Sequence, residues 1–294
     1  MLTQRKKIVF GTFIVLFVFN ILSWSTVFAL SAGKSLMVDF FDVGQGDAIF
    51  IETPQRYQIL IDGGPDNVVL EKLGERMLFW DRTIDLVILT HPEYDHMAGL
   101  IEVLKTYEVK NILWTGIVRD TAEYGEWKRL IGEEDARLII AQKSLRIHLD
   151  NSYIDVLAPF ENLEGQEMKD SNNTSIVTRL VFGEKSFLFA GDIEKSMEKK
   201  LIESGAEIDS DVLKVAHHGS KTSSIPEFVE KVSPEVAVIS VGKENKYGHP
   251  HEETLDTLGK YGIDILRTDL NGDIKIISSK AAMKILSSSL PALP

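Results

Sequence analysis

Between Ser35 and Ser278, short apolar runs with β-type spacing alternate with stretches whose apolar residues recur every three or four positions. The runs LMVDFFDV, DAIFIET and YQILIDGG predict three strands joined by glycine-containing turns, and IDLVILT predicts a buried strand. Helices are predicted from Asp95 to Lys105 and near Thr121 to Ile131, on either side of the strand VKNILWT. This pattern is typical of an α/β protein.

The second half of the chain repeats this order. SIVTRLVF and KSFLFAG predict a hairpin around Gly183, and VLKVAHH and EVAVISV predict two buried strands with helices beside them. Two strand-rich halves, each with its own helices, predict two sheets packed face to face with the helices outside. We expect one catalytic domain over residues 33–280 and a C-terminal tail over 281–294. The polar run at 161–173 is long enough for a mobile loop.

The first 32 residues differ from the rest of the chain. A basic start, QRKK, precedes an uncharged stretch from Ile8 to Leu30, which exceeds the roughly 20 residues needed to cross a bilayer. Residues 1–32 therefore predict either a signal peptide, for which Val27-Phe28-Ala29 suits signal peptidase, or a single membrane anchor through residues 8–30. In both cases the basic flank predicts that the remaining chain lies outside the cytoplasm, secreted or anchored.

The composition limits the partners and the metal ligands that the chain can have. The 294 residues carry a formal net charge of −12, which argues against a broad basic surface for nucleic acid. A nuclease that meets its substrate only at a metal ion is still compatible with this charge. The chain has no cysteine, so disulfides and thiolate-bound metals are excluded, and any metal must be held by His, Asp, Glu and water.

Histidines are concentrated at the ends of predicted buried strands, where ligand sites form in α/β sheets. His148 lies apart, and the other six form three pairs: His91 and His96, His217 and His218, His249 and His251. In THPEYDH, His91 ends a strand while Asp95 and His96 open a helix, so imidazole and carboxylate groups converge as in a zinc, manganese or iron site. The alternative is that Asp95 caps the helix and His91 is a hydrogen-bonded core residue.

Further candidates follow two later strands. Asp192 comes directly after the apolar run FLFA, where it is either a ligand or a turn and helix-capping residue. Neighbouring residues on a strand point to opposite faces, so we expect one of His217 and His218 to face a metal while the other packs or contacts substrate. His249 is a candidate supporting group or general acid, whereas His251 is expected to be a solvated residue at a helix start.

Together these motifs resemble the metallo-β-lactamase superfamily, whose signature H-x-H-x-D-H corresponds to His91-Pro92-Glu93-Tyr94-Asp95-His96. The later Asp and His match Asp192 and the His217-His218 pair, and Asp62 in IDGG matches an early structural aspartate. More narrowly, FFDVGQGDAIFIETP, DVLKVAHHGSKTSS and YGHPHEETLDTL are similar to the hydrolase domain of ComEC-type DNA-uptake proteins. The resemblance covers roughly Ser35 to Ser278 and implies a four-layer αββα sandwich.

Two positions depart from the superfamily pattern. Glu93 replaces the second histidine of the signature, and residues 171–175 (SNNTS) stand where many members carry a third. Both lost histidines belong to the same metal position. The resemblance thus implies one intact position, from Asp95, His96, Asp192 and one of the histidine pair, and one weakened position. We expect one or two divalent ions, and the added oxygen ligands favour manganese over zinc as the hypothesis.

The resemblance implies a metal-dependent hydrolase, specifically a competence-related phosphodiesterase or nuclease with DNA as its partner at the active site. Asp95 or Asp192 would accept a proton from water, and His249 or the unligated member of the pair would protonate the leaving oxygen. Alternatives are a hydrolase of a small extracytoplasmic ester, lactone or amide, and a non-catalytic relative with a decayed metal site. Four basic residues form either a local positive patch or an ordinary solvated surface: Arg179, Lys214, Lys221 and Lys243.

Overall fold

The computed structural model describes residues 4–31 and 35–288. Strands in chain order are β1 (Leu36–Phe40), β2 (Ile49–Glu52), β3 (Gln58–Ile61), β4 (Thr83–Ile84), β5 (Leu86–Ile88), β6 (Glu108–Val109), β7 (Asn111–Trp114), β8 (Arg137–Ile140), β9 (Arg146–Leu149), β10 (Ser152–Ala158), β11 (Val177–Phe182), β12 (Lys185–Phe189), β13 (Val212–Lys214), β14 (Val236–Ile239), β15 (Asp264–Arg267), β16 (Ile274–Ser278) and β17 (Met283–Ser287).

The helices are α1 (Gln4–Ser31), α2 (Val68–Arg76), α3 (Tyr94–Thr106), α4 (Ala122–Glu133), α5 (Lys195–Glu203), α6 (Pro226–Val232), α7 (Glu252–Lys260) and α8 (Thr268–Asn271). Two short 3-10 turns, Asn172–Thr174 and Ala216–Gly219, lie next to the histidine-rich region.

The first sheet has the strand order β17-β16-β1-β2-β3-β5-β7-β8. Its strands β3, β5, β7 and β8 run parallel, and the others pair antiparallel. The second sheet has the order β15-β14-β13-β12-β11-β10-β9, with β12 to β15 parallel. Each half of the chain therefore supplies a parallel segment whose carboxyl ends can carry a site.

Alternation of side chains along the strands builds three apolar layers. In β2, Ile49 and Ile51 face the core between the sheets, while Phe50 faces the layer under α2, α3 and α4. In β12, Phe187 faces the central core and Leu188 faces the layer under α5, α6 and α7. Helices therefore cover the outer face of each sheet, and the expected four-layer αββα sandwich is confirmed.

Helix α1 lies apart from these layers, since none of its described residues belongs to the three apolar clusters. Its window Arg5–Trp24 has a mean hydropathy of 1.9 and is not buried, so by length and composition it can cross a membrane. The expected signal peptide or anchor, residues 1–32, also includes residues 1–3 and 32, which lie outside the described residues.

The C-terminal boundary differs from the expectation. Strand β17 pairs with β16 from Ile274↔Ser287 to Ser278↔Met283, so the domain extends beyond residue 280 and the tail expected from 281 begins as an edge strand. Residues 289–294 of that tail are outside the described residues. The short run MKILS is only half-buried, so its apolar pattern is weak. Strands β8 to β10 and helix α2 were likewise not predicted.

Candidate metal centre

Five of the predicted site residues meet at the carboxyl ends of the parallel strands of both sheets: His91, Asp95, His96, Asp192 and His218. His91 follows β5, Asp95 and His96 lie in the first turn of α3, and Asp192 follows β12. Ligand atoms of His91, His96 and Asp192 lie within 4.8 Å of one another, as do those of Asp95, His96 and His218. Residues that are more than a hundred positions apart therefore form one cluster.

The three buried imidazoles share one orientation. His96 Nδ1 lies 2.8 Å from Asp62 Oδ2, His218 Nδ1 lies 2.9 Å from the Ser240 carbonyl oxygen, and His91 Nδ1 lies 3.0 Å from the hydroxyl of Thr90. Each partner can accept a hydrogen bond, which places the proton on Nδ1. The Nε2 atoms of all three rings are buried and have no hydrogen-bond partner among the described residues.

Asp192 lies at the centre of the cluster. Its Oδ2 is 3.4 Å from Nε2 of both His96 and His218, and 4.0 Å from Nε2 of both His91 and His217. The backbone N–H of Asp192 donates to Ser175 Oγ at 3.0 Å, which fixes the turn after β12. Because α5 begins at Lys195 with Glu194 as its capping residue, the helix-capping alternative for Asp192 is wrong.

The helix-capping alternative for Asp95 is also wrong, since Glu93 occupies the position before α3 and Asp95 lies within its first turn. Helix α3 is held close to two loops by glycines. A Cβ on Gly46 would lie 2.1 Å from the Asp95 carbonyl oxygen, and a Cβ on Gly99 would lie 1.9 Å from the Gly63 oxygen. No other residue type fits these approaches, so the helix start and its ligands have little room to shift.

His217 and His218 are not on a strand, contrary to the expectation. β13 ends at Lys214, and both histidines adopt the left-handed conformation, with φ of 51° and 53°. Alternation between strand faces therefore does not separate them, and both Nε2 atoms point toward Asp192. His218 is buried, whereas His217 is partly exposed and lies 3.4 Å from Asn172 Nδ2.

The donor set fits a divalent cation. The buried Nε2 atoms of the three histidines and Asp192 Oδ1 converge without hydrogen-bond partners among the described residues, an arrangement that is costly unless a cation satisfies it. Burial lowers the pKa of His91 to about 3, so its ring is neutral and able to bind metal. Burial opposes the charged form of His96, yet the carboxylates of Asp192 and Asp62 hold its pKa well above its usual value. Without metal, a proton therefore supplies the positive charge there.

Glu93 points away from this cluster. Its Oε1 accepts a hydrogen bond from Ser171 Oγ at 2.5 Å and lies 3.0 Å from Arg119 Nη2. Arg119 also donates to the carbonyl oxygens of Met168 and Lys169. Within the part of the chain that the structure describes, no group of potential ligands includes Glu93. The expected oxygen-rich second position is therefore occupied by an ion pair and hydrogen bonds.

His249 lies beside the cluster. Its ring centroid is 5.5 Å from that of His217 and 6.3 Å from that of His218, and its buried Nδ1 has no partner among residues 35–288. Burial and the neighbouring histidines lower the pKa of His249 to about 4. His251 lies just before α7, as expected for a helix start, and its Nδ1 accepts from the Lys221 backbone N–H at 3.3 Å. His148, on the exposed side of β9, is outside the site.

Sequence reasoning missed a buried ion pair under the site. Lys214 Nζ lies 2.7 Å from Asp47 Oδ2, and both side chains are almost fully buried. Lys214 is therefore neither part of a local positive patch nor a solvated surface residue, and both alternatives are wrong for it. Asp47 Oδ1 lies 3.3 Å from His218 Nδ1, so the pair borders a candidate ligand. An aspartate that follows two glycines and precedes the apolar run AIFI was the available signal for Asp47. Arg119 has no comparable signal.

Curated relatives are similar in sequence to most of this chain. The ComE operon protein 3 of Bacillus subtilis is 34% identical over 256 residues, 81% of this chain and 32% of that protein. Competence protein ComA of Neisseria gonorrhoeae is 31% identical over 252 residues, 84% of this chain and 33% of that protein. The expected similarity to competence proteins is confirmed, and the chain spans about a third of the length of these relatives.

Solved structures share the fold. YhfI from Bacillus subtilis, a metallo-beta-lactamase fold protein, superposes with a TM-score of 0.51 at 13% identity over 79% of this chain and 96% of its own. CmlA, a diiron beta-hydroxylase from Streptomyces venezuelae, has a TM-score of 0.51 at 16% identity over 84% of this chain and 54% of its own. At these identities the likeness shows the fold alone.

Residues 41–243 match the family model of the metallo-beta-lactamase superfamily, a range that contains every residue of the central cluster. The fold implies divalent metal ions and, in general terms, a metal-dependent hydrolase. The αββα layers, the converging ligands and this match agree, and the chain belongs to the metallo-beta-lactamase superfamily.

Proposed function

We propose that this protein is a metal-dependent phosphodiesterase that cleaves DNA outside the cytoplasm, in competence-related DNA uptake. The main observation in favour of metal-dependent hydrolysis is that the unpartnered Nε2 atoms of His91, His96 and His218 converge on the carboxylate of Asp192. DNA as the substrate is supported by the names of the relatives, which include competence proteins and Recombination protein 2 of Haemophilus influenzae, 27% identical over 281 residues.

The ligand arrangement supports one tightly held ion, bound by Asp95, His96, Asp192 and His218. Such an ion supplies Lewis acidity, which lowers the pKa of water and offsets charge on the phosphate oxygens. Asp192 Oδ1 has no partner among the described residues and is the candidate acceptor for the water proton. Asp95, whose side chain is 29% exposed, is the second candidate because it borders solvent.

His249 is the proposed hydrogen-bond donor to the leaving oxygen, because its pKa of about 4 leaves the ring neutral near pH 7 and unable to act as a general acid. It borders the cluster without occupying a position between the ligands, and it is only partly exposed, so a substrate oxygen can reach it. His217 is the alternative donor, since its Nε2 is 4.0 Å from Asp192 and its ring is accessible.

Manganese is the proposed ion, and oxygen ligands are the reason. The added oxygen ligand expected at Glu93 no longer supports this choice, because Glu93 pairs with Arg119. The remaining support is the carboxylates of Asp95 and Asp192, since oxygen donors suit manganese. Metal content after growth with both metals available tests this choice. Tightly held zinc, with rates that are indifferent to added manganese, would exclude the manganese proposal.

The location outside the cytoplasm is supported by α1 and its basic start, Gln4–Lys7. Protease treatment of intact protoplasts or spheroplasts tests this location. An extracytoplasmic domain is digested, whereas a cytoplasmic one is protected until the membrane is opened.

The decisive assay uses the full chain in detergent with manganese, on labelled single- and double-stranded DNA and on a small phosphodiester. We expect cleavage that requires divalent metal and disappears in Asp95→Ala, while Asp256→Ala, which removes an exposed carboxylate on α7, remains active. Turnover of small esters or lactones without cleavage of DNA would support the small-molecule alternative. Absence of turnover with every metal would support a non-catalytic relative.

A further inference from the structure

The geometry points to a nucleobase-binding cleft beside the metal centre, in which Tyr94 and Tyr247 stack on an unpaired base of the strand being cleaved. This inference rests on the proposed function and names the part of the substrate that the site binds in addition to the scissile phosphate. It predicts that unpaired strands are bound in preference to duplexes.

The cleft is continuous with the candidate metal centre. It has a volume of about 480 Å³ and is lined by Tyr94, Asp95 and Tyr247, together with Gln45, Asp66 and Lys246. Asp95 belongs both to the cleft wall and to the ligand group with His96 and His218. A substrate whose phosphate lies at the metal centre can therefore place an adjacent group in the cleft, whose volume is within the usual range of about 300–1,000 Å³ for ligand sites.

Two tyrosines expose their rings at this cleft. Tyr94 is 55% exposed and Tyr247 is 54% exposed, and neither hydroxyl has a hydrogen bond within residues 35–288. Large aromatic side chains usually bury most of their surface, and exposed rings along a strand path are the common platform for unpaired bases. Their exposure at the rim of a catalytic cleft favours a stacking role.

Both rings are held on fixed supports. Tyr94 is the first residue of α3, directly before Asp95. The Tyr247 ring stacks on the His249 ring with centroids 5.6 Å apart and an interplanar angle of 23°. Asn245 closes the Tyr247 loop, because its side chain donates to the Gly242 and His249 carbonyl oxygens and accepts from the backbone N–H groups of residues 247 and 249. Little ordering of the backbone that carries these rings is needed on binding.

The charge of the cleft indicates which part of a nucleotide it accepts. Asp66, Asp95 and Glu244 outnumber Lys246 in the wall, so the cleft repels a phosphate group. The Lys246 ammonium lies 5.5 Å from the Tyr247 ring centroid. This single positive charge does not balance the three carboxylates of the cleft wall. An uncharged planar base matches these walls better than the backbone does.

The predicted strand preference follows from access to the bases. In a duplex the base edges and faces are occupied by pairing and stacking, and extruding one costs free energy. An unpaired strand presents the base without that cost. Because every base has an aromatic face, the cleft should show little sequence preference.

The test uses the full chain in detergent and two 12-mer DNA strands, one with normal bases and one abasic throughout. With manganese, Tyr94→Ala and Tyr247→Ala should each lower kcat/KM on the normal strand roughly 5- to 100-fold and leave the abasic strand unchanged. Tyr94→Phe and Tyr247→Phe should behave like the unsubstituted chain. Tyr261→Ala, which removes a partly exposed tyrosine after α7, is the matched control.

Cross-linking supplies a readout that is independent of turnover. A 12-mer strand containing 5-iodouracil, irradiated with the protein in EDTA, should attach to Tyr94 or Tyr247 when the peptides are mapped by mass spectrometry. Attachment elsewhere only, or none, overturns the inference, as does an equal loss on normal and abasic strands. If no DNA is cleaved with any metal but the cross-link maps to these tyrosines, the proposed function fails and the base-binding cleft stands.

Discussion

The Arg119 guanidinium lies 3.0 Å from the Glu93 carboxylate, at the position where the superfamily signature has a metal-binding histidine. Ser171 donates to the same carboxylate oxygen. A carboxylate that is already bonded to a cation and a hydroxyl is a poor ligand for a second cation. The ion pair therefore balances the charge of the partly exposed Glu93 side chain without a metal ion.

We predict that Glu93→Gln changes metal affinity less than about threefold, because Glu93 is held by Arg119 and does not contact the cluster. Asp192→Asn should lower the metal affinity by more than about 100-fold, because the loss of a residue that only supports a ligand typically costs about 10- to 100-fold. Titration of the metal-free full chain with manganese against a competing chelator measures both. If Glu93→Gln removes one of two bound ions, Glu93 is a ligand after all.

Asp62→Asn should weaken metal binding about 10- to 100-fold without unfolding the chain. Asp62 accepts from the Thr90 backbone N–H and hydroxyl and lies 2.8 Å from His96 Nδ1. An amide nitrogen facing His96 would favour the tautomer with the proton on Nε2, which cannot bind metal. The same chelator competition applies, with Asp256→Asn as the control, and an unchanged affinity would contradict the tautomer argument.

Lys214→Met should destabilise the metal-free protein by about 3–5 kcal/mol, since it leaves the Asp47 carboxylate buried without its cation. The double variant Asp47→Asn/Lys214→Met should recover much of that loss, because neither charge remains. Chemical denaturation followed by tryptophan fluorescence, with the full chain in detergent, measures the free energy of unfolding. Equal losses in the single and double variants would show that the ion pair has no net coupling.

His249→Ala should lower kcat on DNA by about 10²-fold or more while leaving metal affinity unchanged. The ring borders the cluster but does not belong to any group of ligand atoms within the described residues. Its loss therefore removes a hydrogen bond to the leaving oxygen without removing metal. A parallel loss of metal binding would instead make His249 part of the metal site.

Glu198 predicts a pH dependence of stability away from the site. It is fully buried and accepts from the backbone N–H groups of Ser224 and Ile225, and burial raises its pKa from 4.5 to about 7. Between these pH values the folded chain holds a proton that the unfolded chain has lost. Stability from this group is therefore complete below about pH 4.5 and declines as pH rises to about 7.

Glu198→Gln should remove this dependence. The difference in unfolding free energy between the native chain and Glu198→Gln should change by about 3 kcal/mol between pH 4.5 and pH 8. Denaturation of both proteins in EDTA at a series of pH values gives this difference, and titrations elsewhere cancel in the comparison. A difference that does not vary with pH would mean that folding does not raise the pKa of Glu198.

Much of the architecture was predictable from sequence because its strands are continuous apolar runs with turn residues at their ends. The start of α6 at Pro226 follows from sequence in the same way, since proline suits the first position of a helix. β17 was missed because a five-residue, half-buried edge strand has little apolar signal. The proposed ligands were found because imidazole and carboxylate groups follow buried strands.

Side-chain pairing could not be predicted in the same way. Arg119 is 26 positions from Glu93, and nothing in the loop sequence VRDTA indicates which carboxylate it meets. The left-handed turn at His217 and His218 is set by the tertiary surroundings of β13, whereas the local sequence favours a continued strand. Long-range contacts of this kind depend on the packing of both sheets.

The close approach of Gly46 to the Asp95 carbonyl oxygen, and of Gly99 to Gly63, bears on how the ion is captured. Because α3 packs closely against two loops, the backbone of Asp95 and His96 loses little conformational entropy when an ion binds. The free energy of binding is then not offset by the ordering of a loop. A site assembled in advance can compete for metal at low concentration and release it without unfolding.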